Sequence, residues 1–275
     1  MRAMTISWRA VPLVVLAAGA TLLAQQRSPE QVTVPFSDPS RPGTVKVELV
    51  DGSITVRAEN RRDVSISAGG RADGPSASQR PDGLRRLTPA AGFDVTENSN
   101  EIVIESSPNR GGAFELRVPV RVNLKLNTVN GGKIDVEGTD GEIEANNVNG
   151  SITLTNVSGS AVAGTVNGRL VASMARVAPG KAMAFTSLNG AVDVTLPAST
   201  KANLKLQSDM GDVFTDFDLQ VSRATSPDSA RGPGRGRNGA IRLRINNAIT
   251  GTVNGGGAEI ELRTFNGNVF LRKGK

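Results

Sequence analysis

The sequence predicts an all-β protein, a parallel β-solenoid with coils of about 20 residues, and three observations carry that reading. First, a seven-residue signal recurs: an apolar residue, then Asn, Asp or Ser, then Gly, then two apolar residues each preceded by any residue. It reads Val50-Asp51-Gly52-Ser53-Ile54-Thr55-Val56 and returns as Val148-Asn149-Gly150-Ser151-Ile152-Thr153-Leu154. Further copies begin at Val166, Leu188 and Phe265, and copies with extra glycine begin at Val129 and Val253. Second, Asn130, Asn149, Asn167 and Asn189 each precede Gly, at steps of 19, 18 and 22 residues. Weaker copies at 139–145 and 157–163 place a second turn inside a coil. Third, 31 Gly and 14 Pro are spread through 275 residues rather than gathered in one tract, which favours short strands and turns over long helices.

The chain opens on what reads as an export signal, residues 1–24. Arg2 and Arg9 form its basic part, and residues 11–23 its apolar part, broken only by Pro12, Gly19 and Thr21. Small residues place cleavage after Ala20 or Ala24. The apolar run is shorter than the ~20 residues needed to span a bilayer, so no membrane span is expected after cleavage. Losing residues 1–24 takes two arginines and no acid, which lowers the formal charge from +6 to +4. So small an excess gives no reason to expect nucleic acid as a partner. Residues 25–44, with Pro35, Pro39 and Pro42, read as a linker or N-terminal cap. Residues 45–275 read as a single solenoid domain.

Within that domain apolar and polar residues alternate on each side of the turn, the pattern of a strand with one buried face. Ile152 and Leu154 are therefore assigned inward, Ser151 and Thr153 outward. The Asn-Gly pairs are read as supplying the positive-φ positions of tight turns, and their asparagines as a structural ladder. An antiparallel meander would also carry Asn-Gly at its links, so a sandwich or barrel is the alternative. The solenoid is preferred because strong and weak turns alternate and because Ile54, Ile152, Leu170, Val192 and Val269 occupy equivalent positions. The segments starting at Val122 and Ala202 also match, 80 residues apart, or four coils along the chain. Two stretches break the pattern, 69–92 and 223–239, both rich in Gly, Pro and Arg, and read as loop insertions. Without them, about nine coils remain.

The composition excludes much chemistry. With no His and no Cys there is no imidazole base, thiol nucleophile, disulfide, or His- or Cys-bound metal. No cofactor motif is present, and the expectation is that the protein is not an enzyme. The acids Asp135, Glu137, Asp140, Glu142 and Glu144 cluster as a polysaccharide-cleaving enzyme would need. Their alternation, however, puts Asp135, Glu142 and Glu144 on a solvated face beside Ile134 and Ile143. There is no Tyr, and Phe residues such as Phe265 fall at or near core phase, so aromatic sugar platforms are not expected. The remaining candidate contact is basic: Arg231, Arg235 and Arg237, set among Gly and Pro, form an arm for anionic polymers.

With an export signal, Asn-Gly-x-Ile-x-Leu coils and a Leu-Lys-Leu-x-Thr-x-Asn-Gly strand-turn, the chain resembles the bacterial "putative adhesin" domain family, a domain of unknown function. Residues 127–154 and 260–271 carry the closest match. The resemblance implies a right-handed β-solenoid and brings no catalytic residues; the two insertions depart from it. The resulting expectation is a non-enzymatic, exported module, periplasmic, cell-surface or secreted, that offers a binding or scaffolding surface to anionic envelope polymers or surface glycans. A polysaccharide-active β-helix enzyme and a protein assembling end to end are the alternatives. Deleting residues 223–239 should leave the melting temperature nearly unchanged and weaken retention on an anionic polymer column at low salt, where exposed charges are least screened; retention equal to that of the intact chain would remove the arm from the account.

Overall fold

The computed structural model describes residues 30–70, 93–106, 112–130, 132–222 and 248–274. The export signal, the three arginines of the basic arm and most of the two insertions lie outside these residues. Gly69 and Gly70, read as the start of the first insertion, instead end a strand. The described residues form strands and turns with no helix: β1 (Glu30–Pro35), β2 (Gly43–Glu59), β3 (Asp63–Gly70), β4 (Phe93–Asn98), β5 (Glu101–Ser106), β6 (Gly112–Pro119), β7 (Val122–Asn130), β8 (Ile134–Glu137), β9 (Asp140–Asn149), β10 (Ile152–Asn167), β11 (Leu170–Val177), β12 (Met183–Asn189), β13 (Val192–Pro197), β14 (Ala202–Ser208), β15 (Val213–Thr215), β16 (Gln220–Ser222), β17 (Ile249–Val253), β18 (Ala258–Asn266) and β19 (Val269–Gly274).

These strands stack into two facing ladders. The first runs β4, β5, the first half of β2, β7, β9, the second half of β10, β12, β18, β14, β17, β16. The second runs β1, β3, β6, the second half of β2, β8, the first half of β10, β11, β13, β19, β15. Strands β2 and β10 bend from one ladder into the other and join them into one 19-stranded sheet. The Asn-Gly turns carry the chain from the first ladder to the second, and the neighbours they create are parallel. Antiparallel pairs, which a meander would show throughout, occur among the described residues only at the two ends of the stack, around β1, β3 and β4 and around β16 and β17.

The core lies between the ladders and is built by repetition. Register places Phe114, Ile54, Ile134, Ile152, Leu170, Val192 and Val269 in one row of the second ladder, each at most 1% exposed. Leu154 is buried too, and Ser151 and Thr153 face outward as their alternation requires. In the first ladder Ala145 and Ala163 stand in the same row as Leu126 and Phe185, so small and large side chains share the space between the ladders.

Stacking does not follow chain order throughout. The first coil, β2, sits between the layers β5–β6 and β7–β8. The last, β18–β19, sits between β12–β13 and β14–β15. Both terminal coils thus gain a hydrogen-bonded neighbour on each side, and the edges of the stack fall to shorter strands that offer less template for pairing with another chain. This insertion explains why β7 and β14, four coils apart along the chain, are five ladder steps apart in space. The described residues make eight two-strand layers rather than nine.

The glycines of the turns owe their place chiefly to that stacking. A Cβ on Gly150, Gly168, Gly190 or Gly267 would strike the carbonyl oxygen of the glycine one layer away, Gly132, Gly150, Gly168 and Gly190 respectively. Only some of them, such as Gly190 (φ 154°), also need the left-handed region; Gly150 and Gly168 do not. The positive-φ explanation from sequence is therefore replaced at these two positions by close approach of backbone to backbone. Gly168→Ala should cost about 3 kcal/mol or more, because a rigid carbonyl blocks the added methyl. Thermal unfolding of the variant checks this, and a melting temperature within a degree of the parent would show that the turns can spread apart.

Candidate functional site

The Asn-Gly edge of the stack is the most regular surface of the molecule. In five successive layers the turn asparagine, Asn130, Asn149, Asn167, Asn189 or Asn266, has a Thr, Ser or Asn two positions before it, and Ser208 stands likewise three residues before Gly211, while the β2 turn has Leu49 there and Asp51 before its glycine. Alternation along the strand turns the Thr, Ser or Asn inward, and its side chain donates to the turn carbonyl of the adjacent layer. Thr128 Oγ1 donates to the carbonyl of Gly52 at 3.1 Å, Asn147 Nδ2 to Gly132 at 2.8 Å, and Thr165 Oγ1 to Gly150 at 2.8 Å. Ser187 Oγ reaches Gly168 at 3.0 Å, Thr264 Oγ1 reaches Gly190 at 2.8 Å and Ser208 Oγ reaches Gly267 at 2.7 Å. This buried polar row satisfies carbonyls that the tight turns withdraw from water. The sequence carries its signal in the Thr-x-Asn-Gly spelling, but its role emerges only from the register.

Outside it runs the asparagine ladder. Asn149 Nδ2 donates to Asn130 Oδ1 at 3.4 Å, Asn167 to Asn149 at 2.9 Å and Asn189 to Asn167 at 2.9 Å. Each amide nitrogen carries two hydrogens, so one is left over after the ladder bond is made, on side chains that are exposed. Between the buried row and the ladder stand Val50, Val129, Val148, Val166, Leu188 and Phe265, in successive layers. They are exposed, from 37% for Val166 to 55% for Val50. The sequence places Phe265 at or near core phase, but at 47% exposure it is at the surface. The reason is parity. Ile260, Leu262 and Thr264 take the inward positions of β18, so Phe265 must point out.

At six layers and about 4.8 Å per layer the apolar ridge is about 24 Å long. Beside it a shallow groove of about 400 Å³ runs across the first ladder, with Asn127, Asn146, Gly164 and Thr186 along its floor and Val129, Val148 and Val166 at its rim. Asn146 Nδ2 also donates to Asn127 Oδ1 at 3.2 Å. Small and uncharged side chains at the centre leave this part of the ladder flat.

The acids singled out from the sequence do not converge. Asp135 and Glu137 stand on β8 in the second ladder, Glu142 and Glu144 on β9 in the first. Asp135 pairs with Lys133 at 2.6 Å, Asp140 with Arg176 at 2.6 Å and Glu142 with Lys181 at 2.8 Å. Among the described residues no group of three acids is placed to hold a metal ion. Arg231, Arg235 and Arg237 lie outside the described residues. Sequence reasoning did not anticipate the pair Phe214 and Phe270, stacked on the outward face of β15 and β19 with centroids 5.2 Å apart. Arg272 lies 5.2 Å from the Phe270 centroid and clasps Asp193 together with Arg169. Phe214 and Phe270, and likewise Asp193 and Arg272, are far apart in the chain and meet because β19 is inserted between β13 and β15.

The family model described as Toastrack DUF4097, a domain of unknown function, matches residues 121–254. The stretch 127–154, on which the family resemblance rests, lies inside that match, and 260–271 beyond it. Among solved structures, the chain is similar to one from Clostridium sporogenes ATCC 15579 described as a "putative cell adhesion protein", with 10% identity, a TM-score of 0.44, and coverage of 90% of this chain and 100% of that one. A second, from Bacteroides fragilis NCTC 9343 and described as a "putative adhesin", shows 11% identity, a TM-score of 0.37, and coverage of 89% and 97%. No curated protein matches the chain.

Thr165→Val should lower stability by about 1–3 kcal/mol, since it keeps the shape of the side chain and leaves the Gly150 carbonyl without its hydroxyl donor. Chemical denaturation of Thr165→Val beside Thr165→Ser tests this, with the serine variant expected to retain most of the lost stability.

Proposed function

We propose that this chain, with its Toastrack domain over residues 121–254, is a non-enzymatic module of the cell envelope or of the secreted fraction, a right-handed β-solenoid that binds or scaffolds through its Asn-Gly edge. The partner is an extended glycan of the cell surface or envelope lying along the stack. The observation that supports this most directly is the ridge of six exposed apolar side chains. A polar residue at those positions would fold equally well, because the buried row and the ladder already satisfy the turn. Retaining apolar side chains in water for about 24 Å is a cost that contact with a partner removes. The partner's shape follows from the surface. Exposed amides and apolar side chains repeat at one strand spacing, which suits a linear polymer with repeated hydroxyl groups and apolar ring faces. The separation of the acids onto two ladders favours binding over hydrolysis.

The triple variant Val148→Ser, Val166→Ser and Leu188→Ser tests the reading. Each site is exposed, so stability should stay within about 0.5 kcal/mol per substitution. Retention on immobilised envelope polymers, covering peptidoglycan, capsular polysaccharide and exopolysaccharide, should fall at least tenfold relative to the parent. Equal retention of parent and variant, or no retention of the parent on any of these polymers, would overturn it.

A further inference from the structure

The opposite edge of the stack, where the chain returns from the second ladder to the first, holds a cleft of different chemistry. Three connections meet there: 36–43 before and into β2, 59–62 after it, and 119–121 between β6 and β7. Pro39 and Pro42, between β1 and β2, and Pro119, at the end of β6, line a cavity of about 300 Å³ there. Four arginines line it, Arg41, Arg61, Arg62 and Arg121, against one acid, Glu59. Their partners divide them into two pairs. Arg41 is held by Asp38 at 2.7 Å, whose carboxyl lies below the usual carboxylate range because Ser40 and Arg41 hydrogen-bond to it. Arg61 is fixed by Asp63 at 2.7 Å and reaches Glu59 at 3.6 Å. Glu59 is also met by Arg117 at 3.4 Å, so two guanidinium groups already answer its charge. Arg62 and Arg121 have no ion pair among the described residues.

We infer that this cleft is a binding site for a compact oxyanion, a carboxylate or phosphate group carried on an acidic polymer, with Arg62 and Arg121 as the residues that grip it. Two guanidinium groups without ion pairs line one concave corner, and a guanidinium fork can give a carboxylate or phosphate two parallel hydrogen bonds. The cavity reaches the lower end of the size range of small-ligand sites. Phe36 and the prolines supply an apolar wall for the body of the unit that bears the charge. The inference deepens the proposed polymer binding by assigning its acidic groups to a corner remote from the apolar ridge. It also moves the expected anion contact from the arm at 231–237 to the ends of β2 and β6.

The experiment measures affinity of the full mature chain for two probes at low salt, an oligogalacturonate for the carboxylate and a short polyphosphate for the phosphate. The variant Arg62→Gln/Arg121→Gln should lose at least tenfold in affinity for the better probe, with an unchanged melting temperature. Arg176→Gln, a paired arginine elsewhere on the surface, should bind as the parent does. Which probe binds better identifies the oxyanion. The ridge variant with serine at 148, 166 and 188 should keep its affinity for these short probes, so failure of the ridge reading and failure of the cleft show up in different proteins. Equal binding by Arg62→Gln/Arg121→Gln and the parent, loss of binding on deletion of 223–239 alone, or no binding of either probe by the parent would each overturn the inference.

Discussion

The separation of stacked backbones, about 4.8 Å from one layer to the next, governs every other feature of this protein. At the Asn-Gly edge the turns lie directly over one another, so the carbonyl of one glycine occupies the space that a side chain on the next would need. Glycine is then required by distance. Carbonyls pressed together this way are also cut off from water, and each must find a donor. The hydroxyl of the Thr or Ser three residues before the glycine is the nearest one that alternation turns inward. Asn147 fills the same place with its amide, and its Oδ1 remains without a partner, a sign that a hydroxyl fits the row better. One spacing therefore selects three of the four positions of the Thr-x-Asn-Gly turn. The fourth, the exposed apolar residue, is the one that stacking does not explain.

The inserted coils are a second consequence of the same ladder. A solenoid that stacked in chain order would end on its own terminal coils and leave their hydrogen-bonding groups open. Here β19 pairs with β13 across 77 residues of sequence at Val192 and Val269, and Thr264 reaches back 74 residues to Gly190. Such long-range closure has an entropic cost that rises slowly with loop length, and it slows folding more than it weakens the folded state. What it provides is a C-terminal coil bonded on both sides, with Asp193 clasped by Arg169 from one layer and Arg272 from another. That carboxylate is largely buried and accepts hydrogen bonds from two guanidinium groups, so it ties β11, β13 and β19 together at the surface of the second ladder.

Much of this was legible in the sequence. Period, strand character and the inward row from Ile54 to Val269 follow from alternation and from the recurrence of Asn-Gly, because both report local geometry. What the sequence concealed depends on which strand lies beside which. The interposed positions of β2 and β18–β19 are invisible to a periodicity argument, since an inserted coil has the same pattern as a sequential one. The outward placement of Phe265, and of Val166 at the equivalent position, differs from the core phase read for Phe265 for another reason. The repeat was read as beginning with its apolar residue, whereas the strand's parity is set further upstream, by Ile260 and Leu262 in one case and Ala161 and Ala163 in the other. Counting back from the buried hydroxyl would have found it. The cleft at the other edge had no signal at all, because Arg41, Arg62 and Arg121 belong to three separate connections.

A repeating fold also repeats its surface, and this shapes what it can recognise. On the Asn-Gly edge five successive layers, those of β7, β9, β10, β12 and β18, offer nearly the same group of one apolar side chain and one amide, so a partner gains from matching the spacing more than from any one contact. Contacts of this kind are individually weak and become strong in series, provided the partner spans several layers at once. The arginine cleft is the opposite case. It arises where the repeat is interrupted, by prolines and by the insertion of β2, and it occurs at one corner of one end. Under the proposed reading the regular edge supplies length and the irregular corner supplies charge discrimination. A polymer that satisfied only the ridge would be free to slide along it by whole layers, since neighbouring registers are nearly equivalent; under the proposed reading an anionic group seated at Arg62 and Arg121 would single out one register, which a repeating edge alone does not do.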